Sequence, residues 1–280
     1  MANLTQHMQL ITLALLVSLS AISILLLRRS IHCRLANARS ESLQQLINLK
    51  GLIRLTQNHR GLSYRVLNGD TSQQTELKSL EHAIDAQAEL LTALQTIDRV
   101  ADYWQGFSDH WQRLQQHNLE VAADNNLEQH NRLISGLLSV AEDLIEYGHW
   151  CDLEFKDQQS NIHTLIDLLI SAEWLGQARA LGSGILASGR CTSVERIRMN
   201  FLKNKLLGHV SESREVINHP LTTLIEMIEQ HLLAEEPSSI SSNEYFEVAT
   251  RSIGSLMERF DHIAAELADG QNRHLRLYSE

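Results

Sequence analysis

An uncharged, largely apolar run near the beginning of the chain is its clearest sequence feature. Residues Met8 to Leu27 contain no Asp, Glu, Lys or Arg. A helix of this length spans about 30 Å, which matches the hydrocarbon core of a bilayer. No Lys or Arg precedes the run, and it ends in Arg28 and Arg29 rather than in a small-residue cleavage site. A retained transmembrane anchor is therefore favoured over a cleaved signal peptide.

Basic residues flank this run on one side only. Arg28, Arg29, Arg34 and Arg39 follow it, whereas residues 1–7 carry no Lys or Arg. The positive-inside rule then predicts an outside N-terminus and residues 28–280 in the cytoplasm. A periplasmic location is the alternative, because large domains translocate largely regardless of flanking charge. No second stretch of comparable length and apolarity occurs, so we expect a single crossing.

Beyond the anchor, apolar residues recur at helical spacing over long stretches. The turn signal 68–70 and the helix stop Gly189 divide these stretches, and Asn125 with Glu128 resembles a capping box. The predicted helices cover residues 40–67, 72–117, 125–149, 157–188, a stretch from 192 or 193 that is interrupted near 220, and a stretch from the polar loop 238–243 to about 269. Long helices with short links predict an all-α fold of antiparallel, up-and-down helical bundles.

The resulting division of the chain has five parts. They are a short N-terminal segment (1–7), the transmembrane anchor (8–27), a basic juxtamembrane segment (28–39), a helical domain (40–268) and a C-terminal tail (269–280). Composition agrees, because the chain has only 2 Pro and 13 Gly, where about 14 and 20 are usual. An all-β fold, which needs a turn signal every ~8–12 residues, is therefore disfavoured.

Charge and cysteine usage exclude further classes of protein. The formal net charge of −10 argues against a general nucleic-acid-binding surface. The three cysteines are far apart and show neither a disulfide framework nor zinc spacing. Only Glu146 and His149 have the Glu-x-x-His spacing of a di-iron bundle, which needs two such pairs. We therefore expect no metal, no cofactor and no enzymatic activity.

Two predicted helices carry an arginine within an otherwise apolar, core-facing seam. In the helix 40–67, positions at alternating three- and four-residue spacing are Leu46, Leu49, Ile53, Thr56, Arg60, Ser63 and Leu67. In the helix 157–188 they are Ile162, Leu165, Leu169, Ala172, Gly176, Arg179, Ser183 and Leu186. Small and hydroxyl-bearing neighbours leave room and hydrogen-bonding groups beside each guanidinium.

Each buried guanidinium needs a neutralising partner, because an unpaired buried charge costs several kcal/mol. Internal carboxylates are one possibility, although Glu173 and Asp167 lie near Arg179 in sequence without occupying the seam. The other possibility is a small anion held between Arg60 and Arg179. A planar oxyanion such as nitrate or nitrite fits the guanidinium fork. The candidate ligand-binding residues are Arg60, Arg179, Thr56, Ser63 and Ser183.

Three short segments, two of which contain these arginines, carry family signatures. Residues 55–63 read LTQNHRGLS, residues 173–181 read EWLGQARAL, and residues 244–250 read EYFEVAT. In this order they resemble the Q-x-E-R-G-x-S signature, the E-x-x-G-Q-E-R-A-L signature and the last segment of the nitrate- and nitrite-sensing (NIT) domain family; residues 130–134 fit less specifically. The resemblance covers roughly residues 40–268. It implies an all-helical bacterial sensory domain that binds nitrate or nitrite through Arg60 and Arg179.

Two positions depart from the family pattern. The family's glutamate before each arginine is replaced by His59 and by Ala178, so the choice of ligand is open to change. A second resemblance is to the helical sensor of type IV pilus chemoreceptors, whose N-L-A-G-R-Q-R signature is similar to residues 46–51 (LINLKG). The arginine pair of that signature is missing here at the required spacing.

The sequence thus predicts a membrane-anchored sensor in the bacterial inner membrane. It would bind a small anion, nitrate or nitrite, and relay a change in helix packing to a protein partner or within a homodimer. No kinase, methyl-accepting, cyclase or RNA-binding segment is recognisable, which is why a partner is expected. The rival interpretation is a structural helical bundle that binds no ligand and neutralises both arginines with its own carboxylates.

Overall fold

The described part of the backbone consists of helices joined by short turns. The computed structural model describes residues 2–69, 72, 74–93, 101–152, 156–212, 219–234 and 240–279. These ranges contain eight α-helices and no β-strand, which confirms the all-α prediction. The helices are α1 (Ala2–Leu67), α2 (Gln74–Ala93), α3 (Ala101–His117), α4 (Ala123–Tyr147), α5 (Lys156–Ser188), α6 (Ser193–Glu212), α7 (His219–Met227) and α8 (Ser242–Ser279). A 3₁₀ turn, Trp150–Asp152, follows α4, and a π turn, Ile228–Leu232, continues α7.

Helix α1 combines an exposed apolar half with a buried half. It is 66 residues long, which corresponds to about 100 Å. The side chains of residues 13–27 are all exposed, and from residue 13 onward the first buried side chain is Ala36. Among the described residues, α1 is the one helix long and apolar enough to cross a membrane. The predicted anchor is therefore a helix with no protein cover around residues 13–27.

Two helices form the centre of the bundle. The second half of α1 packs against α2, α4, α5 and α8, and α5 packs against α1, α4, α6 and α8. Both predicted seams are buried, apart from their last residues, Leu67 and Leu186, which are half-buried. Because helices surround α1 and α5 on several sides, positions outside the seams are buried as well, including Leu52, Leu62 and Leu175.

Local signals in the sequence explain several helix ends. Gly69 follows α1 with a φ of +107°, and Gly189 follows α5 with a φ of +65°, a region that glycine adopts without strain. Thr192 and Glu195 form a reciprocal capping box before α6, in which the Thr192 N–H donates to the Glu195 carboxylate and the Glu195 N–H donates to the Thr192 hydroxyl. The predicted ends at 68–69, 189 and 192–193 are thus confirmed.

Other helix boundaries differ from the prediction. The expected capping box at Asn125 is wrong, because α4 begins at Ala123 after an extended Ala122, and no side chain caps it. The predicted helix 72–117 corresponds to α2 and α3, and residues 94–100 between them lie outside the described residues. The last helix does not end near Asp269 but continues to Ser279.

Candidate functional site

The guanidinium of Arg60 is held by a carboxylate from a different helix. The Arg60 side chain, on α1, is fully buried. Its Nη1 donates to Oε1 of Glu173 on α5 at 2.5 Å, and its Nη2 donates to Oε2 of the same carboxylate at 3.2 Å. Nη1 also donates to Oδ1 of Asn131 on α4 at 2.7 Å. The result is a two-point ion pair between the central helices.

Two amides complete the environment of the Glu173 carboxylate. Nε2 of Gln57 donates to Oε2 at 2.9 Å, and Nε2 of Gln177 donates to Oε1 at 2.8 Å. Glu173 lies outside the predicted seam, as expected, yet it is 96 % buried because α5 is enclosed on several sides. An internal carboxylate, one of the two possibilities left open for the seam arginines, therefore neutralises Arg60. Asp167, the other candidate carboxylate, is exposed.

Gly176 provides the space in which the Arg60 guanidinium lies. A Cβ atom at this position would be 2.6 Å from Nη2 of Arg60 and 3.4 Å from the side-chain amide carbon of Gln57. Real Cβ atoms do not approach so closely, and thus any larger residue would push Arg60 away from Glu173. The predicted role of Gly176, to leave room beside a buried arginine, is consistent with this contact.

The second arginine has only neutral partners. Arg179, on α5, is 97 % buried. Its Nη1 donates to the Thr250 hydroxyl on α8 at 3.1 Å, and its Nη2 donates to Oδ1 of Asn58 on α1 at 3.0 Å. The guanidinium carbon lies 4.8 Å from the centre of the Phe246 ring, a cation–π contact. Its Nε is buried and has no partner within the described part of the chain.

The site as described carries more positive than negative charge. It contains two guanidinium groups and one carboxylate, and none of the ion pairs found among the described residues involves Arg179. Burial lowers the pKa of Arg179 to about 10, and the charge of Arg60 acts in the same direction, whereas Glu173 raises it. Arg179 is still protonated at neutral pH, so the excess of one positive charge persists.

None of the predicted hydroxyl ligands has a hydrogen bond to either guanidinium group within the described part of the chain. The Thr56 hydroxyl donates to the carbonyl oxygen of Leu52 on its own helix. The Ser63 hydroxyl lies 2.9 Å from Oδ1 of Asn126 and 3.2 Å from the carbonyl oxygen of Arg60. The Ser183 hydroxyl is buried and has no partner among the described residues. Of the five candidates, the contacts thus unite Arg60 and Arg179 through the Gln57–Asn58 segment and Glu173, but not the three hydroxyls.

A buried pair of histidines lies directly beside Arg60. Nδ1 of His130 donates to the Asn126 carbonyl oxygen at 2.8 Å, so its Nε2 accepts from Nδ1 of His59, also at 2.8 Å. Nε2 of His59 then faces the Asn118 amide at 3.4 Å and Oε1 of Glu81 at 3.7 Å. His59 occupies the position before Arg60 at which the family signature described above has a glutamate.

Burial keeps both histidines neutral at neutral pH. It lowers the pKa of His59, although Glu81 acts in the opposite direction. It lowers the pKa of His130 well below the ordinary value, and the charges of His59 and Arg60 act in the same direction. The positive charge of the site therefore comes from the arginines alone.

A cleft of about 540 Å³ between α4, α5 and α6 leads towards this site. Asn131 and Gln177 line the cleft, and each of them also bonds to one member of the Arg60–Glu173 pair. Arg132 and Arg198, both exposed, lie on the same lining. The apolar part of the lining comprises Leu127, Leu181, Ile197, Phe201 and Leu202. Asn131 and Gln177, both neutral, thus contact the cleft on one side and the Arg60–Glu173 pair on the other.

Most site residues that the seams did not identify lie in the segments already singled out by resemblance. Gln57 and Asn58 belong to residues 55–63, Asn131 belongs to 130–134, and Phe246 and Thr250 belong to 244–250. Glu173 begins the second signature. These segments marked the neighbourhood, but the helical period alone did not assign contacts to the individual residues.

The fold and the site define a helical bundle with a buried cationic core site. The sequence matches the nitrate and nitrite sensing (NIT) family over residues 51–269. This match covers most of the chain, and the chain therefore belongs to that family, which is a family of signal-sensing domains.

Comparison of structures gives the same fold. The chain is similar to a structure described as "Structure of the NasR transcription antiterminator", with a TM-score of 0.65 and 16 % sequence identity. The similarity covers 91 % of this chain and 75 % of that one. Among curated proteins, none matches this sequence.

Proposed function

We propose that this protein is a non-enzymatic, membrane-anchored sensor that binds nitrate or nitrite between Arg60 and Arg179. Membership of the nitrate and nitrite sensing family supports the ligand class. The observation that carries the site is the buried excess of positive charge, since Arg179 has only neutral partners. A buried charge without a counterion costs several kcal/mol, and one monovalent anion would remove that cost.

The anchor places this sensor in the bacterial inner membrane in our proposal. Support comes from the exposed apolar side chains of residues 13–27 and from the basic residues that follow them. Arg28, Arg29 and Arg34 are exposed and free to face lipid head groups, whereas Arg39 donates to the backbone of His149. The orientation with residues 28–280 in the cytoplasm follows from the positive-inside rule. A cysteine-accessibility assay with a C-terminal tag tests this orientation. Labelling of the tag from the periplasm would show that residues 28–280 are periplasmic instead.

The signal passes, in this proposal, from the bundle to a protein partner or across a homodimer. Arg60 lies on the helix that continues into the anchor, and Thr250 and Phe246 hold Arg179 from α8. An anion between the two arginines would therefore act on α1, α5 and α8 together. A change in the packing of these three helices is the proposed output.

The rival function, a structural bundle without a ligand, is favoured by the Arg60–Glu173 ion pair. That pair neutralises one arginine as the rival requires. The two functions differ in what they expect of Arg179, which the rival leaves as an uncompensated charge. Binding measurements on the full-length protein therefore separate them.

Isothermal titration of the full chain in detergent with sodium nitrate and sodium nitrite tests the proposal, with sodium chloride as the reference salt. We expect heat of binding for at least one of the two oxyanions and its loss in Arg179→Gln. Arg54→Gln, which removes an exposed arginine from α1, is the matched control and should bind like the wild type. No heat from wild type, or equal binding by Arg179→Gln, would overturn the site.

A further inference from the structure

The Glu173 carboxylate already meets the Arg60 guanidinium in the manner of a bound planar anion. Its two oxygens lie on Nη1 and Nη2 of Arg60 at 2.5 and 3.2 Å. Nitrate and nitrite also present two oxygens on one planar, negatively charged group, and an arginine fork recognises either kind of anion by the same pair of hydrogen bonds. Glu173 thus occupies the Nη1/Nη2 edge of Arg60, an edge that would suit such a ligand, whereas Nε on the other edge is buried and has no partner among the described residues.

The Nη1/Nη2 edge cannot hold Glu173 and such a ligand at once. Nη1 is already shared between Glu173 and Asn131, and Gly176 lies against Nη2, so closely that even a Cβ atom would clash there. A second anion on this edge would also meet the negative charge of Glu173 in a buried site, where like charges repel strongly. An anion that uses the Arg60 fork must therefore move Glu173 away.

We propose that Glu173 is an internal competitor of the ligand, which occupies the anion position on Arg60 until nitrate or nitrite displaces it, and so sets the affinity and selectivity of the site. The inference rests on the function proposed above and names the residue that limits it. A monatomic anion such as chloride offers one contact point to the fork. It competes poorly with a carboxylate that offers two.

The surroundings of Glu173 provide a place for the displaced carboxylate. Gln177 donates to Oε1 and also lines the cleft between α4, α5 and α6. Arg198, exposed on the same cleft lining, supplies positive charge there. Glu128 lies on the same lining and pairs with Arg132, which leaves Arg198 as the cation of this cleft available to a displaced Glu173. Glu173 therefore has a route towards a cleft with one such cation, and its departure from Arg60 does not require an unpaired buried carboxylate.

The decisive variant is Glu173→Gln, tested by nitrate titration of the full-length protein in detergent. The apparent dissociation constant equals the intrinsic dissociation constant divided by the fraction of protein that is free to bind. Removing a competitor raises this fraction and therefore lowers the apparent dissociation constant. We expect the nitrate Kd to fall by about tenfold or more relative to wild type. Glu81→Gln is the matched control, because Glu81 is equally buried but bonds to Lys78 and faces His59 rather than an arginine. Its nitrate Kd should stay within about threefold of wild type.

Glu173→Asp guards against a folding defect in the first variant. It keeps the charge but shortens the side chain by one methylene, which weakens the grip on Arg60, and we expect a nitrate Kd between those of wild type and Glu173→Gln. Thermal unfolding followed by circular dichroism, with sodium formate as a second planar anion, gives an independent readout, because a ligand that binds the folded state raises the midpoint. Formate should raise the midpoint of Glu173→Gln more than that of wild type.

The outcomes separate this inference from the proposed function. If wild type binds nitrate while Glu173→Gln, folded, binds it equally or more weakly, Glu173 positions Arg60 and is no competitor. If neither protein binds nitrate, both proposals fail. If only Glu173→Gln binds, the competitor role stands and wild type is not a nitrate sensor.

Discussion

Arg179 on α5 donates to the side chain of Asn58 on α1, while Arg60, two residues further along α1, donates to Glu173 on α5. The two arginines thus reach across the same pair of helices in opposite directions. The exchange is unequal, because one arginine meets a carboxylate and the other meets neutral oxygens. The two arginines should therefore contribute differently to stability.

Replacing Arg60 and replacing Arg179 should change the free energy of unfolding by different amounts. Arg60→Gln leaves Glu173 buried without its ion pair and should lower the free energy of unfolding by about 3–5 kcal/mol. Arg179→Gln loses hydrogen bonds but also removes a buried charge that lacks a counterion, so the free energy of unfolding should change by less than about 1.5 kcal/mol in either direction. Urea unfolding of the full chain in detergent without nitrate, followed by circular dichroism, measures both. The double variant Arg60→Gln/Glu173→Gln should recover part of the loss; equal costs for the two single variants would contradict the assignment.

Gly176 and Gly136 form a matched pair of helical glycines with opposite expected effects. Gly176→Ala places a Cβ against Arg60 and should destabilise the protein by about 1–3 kcal/mol. Gly136→Ala, in α4, meets nothing within 4 Å and should stabilise it by about 0.5–1 kcal/mol through helix propensity. Thermal unfolding of the two variants should move the midpoint in opposite directions. A change of the same sign in both would show that the space beside Arg60 is not constrained.

Stability should fall in mild acid because of the buried histidines. The pKa of His130 is well below 6.5 in the folded protein, owing first to burial, so the unfolded chain binds more protons below that pH. Stability is therefore full above about pH 7 and is lost as the pH falls through 6.5, with His130 contributing up to about 1.4 kcal/mol per pH unit. Urea unfolding at pH 7.5, 6.5 and 5.5 measures the slope.

The variant His130→Gln tests whether His130 causes this dependence of stability on pH. His130→Gln should flatten it, although the variant itself is less stable at every pH because a buried hydrogen-bond chain is altered. His163→Gln, which changes an exposed histidine of α5, should keep the slope of wild type. An unchanged slope in His130→Gln would assign the acid sensitivity to other groups.

The cleft between α4, α5 and α6 should act as the route for the anion. Arg198 is exposed on its lining, and a positive charge at the mouth of a cleft raises the association rate of an anion. Arg198→Gln should slow nitrate association by roughly threefold at low salt and leave dissociation unchanged. Stopped-flow tryptophan fluorescence, to which Trp174 next to Glu173 contributes, measures both rates. Arg113→Gln, an exposed change on α3 away from the cleft, should not alter them.

The helical period predicted which residues face the core, but not which of them touch. Arg60, Gly176 and Arg179 were identified because a seam at three- and four-residue spacing reports one face of one helix. Glu173 lies outside that face, and its burial depends on how many helices surround α5. Asn131 and Thr250 come from α4 and α8, so their contacts follow from packing that no local pattern encodes.

Two helix boundaries also show that a local sequence pattern does not encode tertiary contacts. Thr192 and Glu195 cap α6 as a local motif, because each hydrogen bond of the motif joins these two residues within one turn of chain. The similar pattern at Asn125 caps nothing, since its neighbour Asn126 is fixed by two hydrogen bonds to Asn118 and α4 begins two residues earlier. A capping motif is thus decisive where tertiary contacts are few.

The unbroken course of α1 has a mechanical consequence. About 50 Å of continuous helix separate Arg60 from Leu27, the last residue of the apolar run. Much of this stretch is not free to swing, because α1 is buried from Ala36 onward and packs against α2, α4, α5 and α8. If α1 tilts as a rigid rod together with this packing, a tilt of about 5° displaces a point about 50 Å from Arg60 by about 4 Å. In the proposed sensor, a change in the packing of the whole bundle would thus reach the anchor through one unbroken helix.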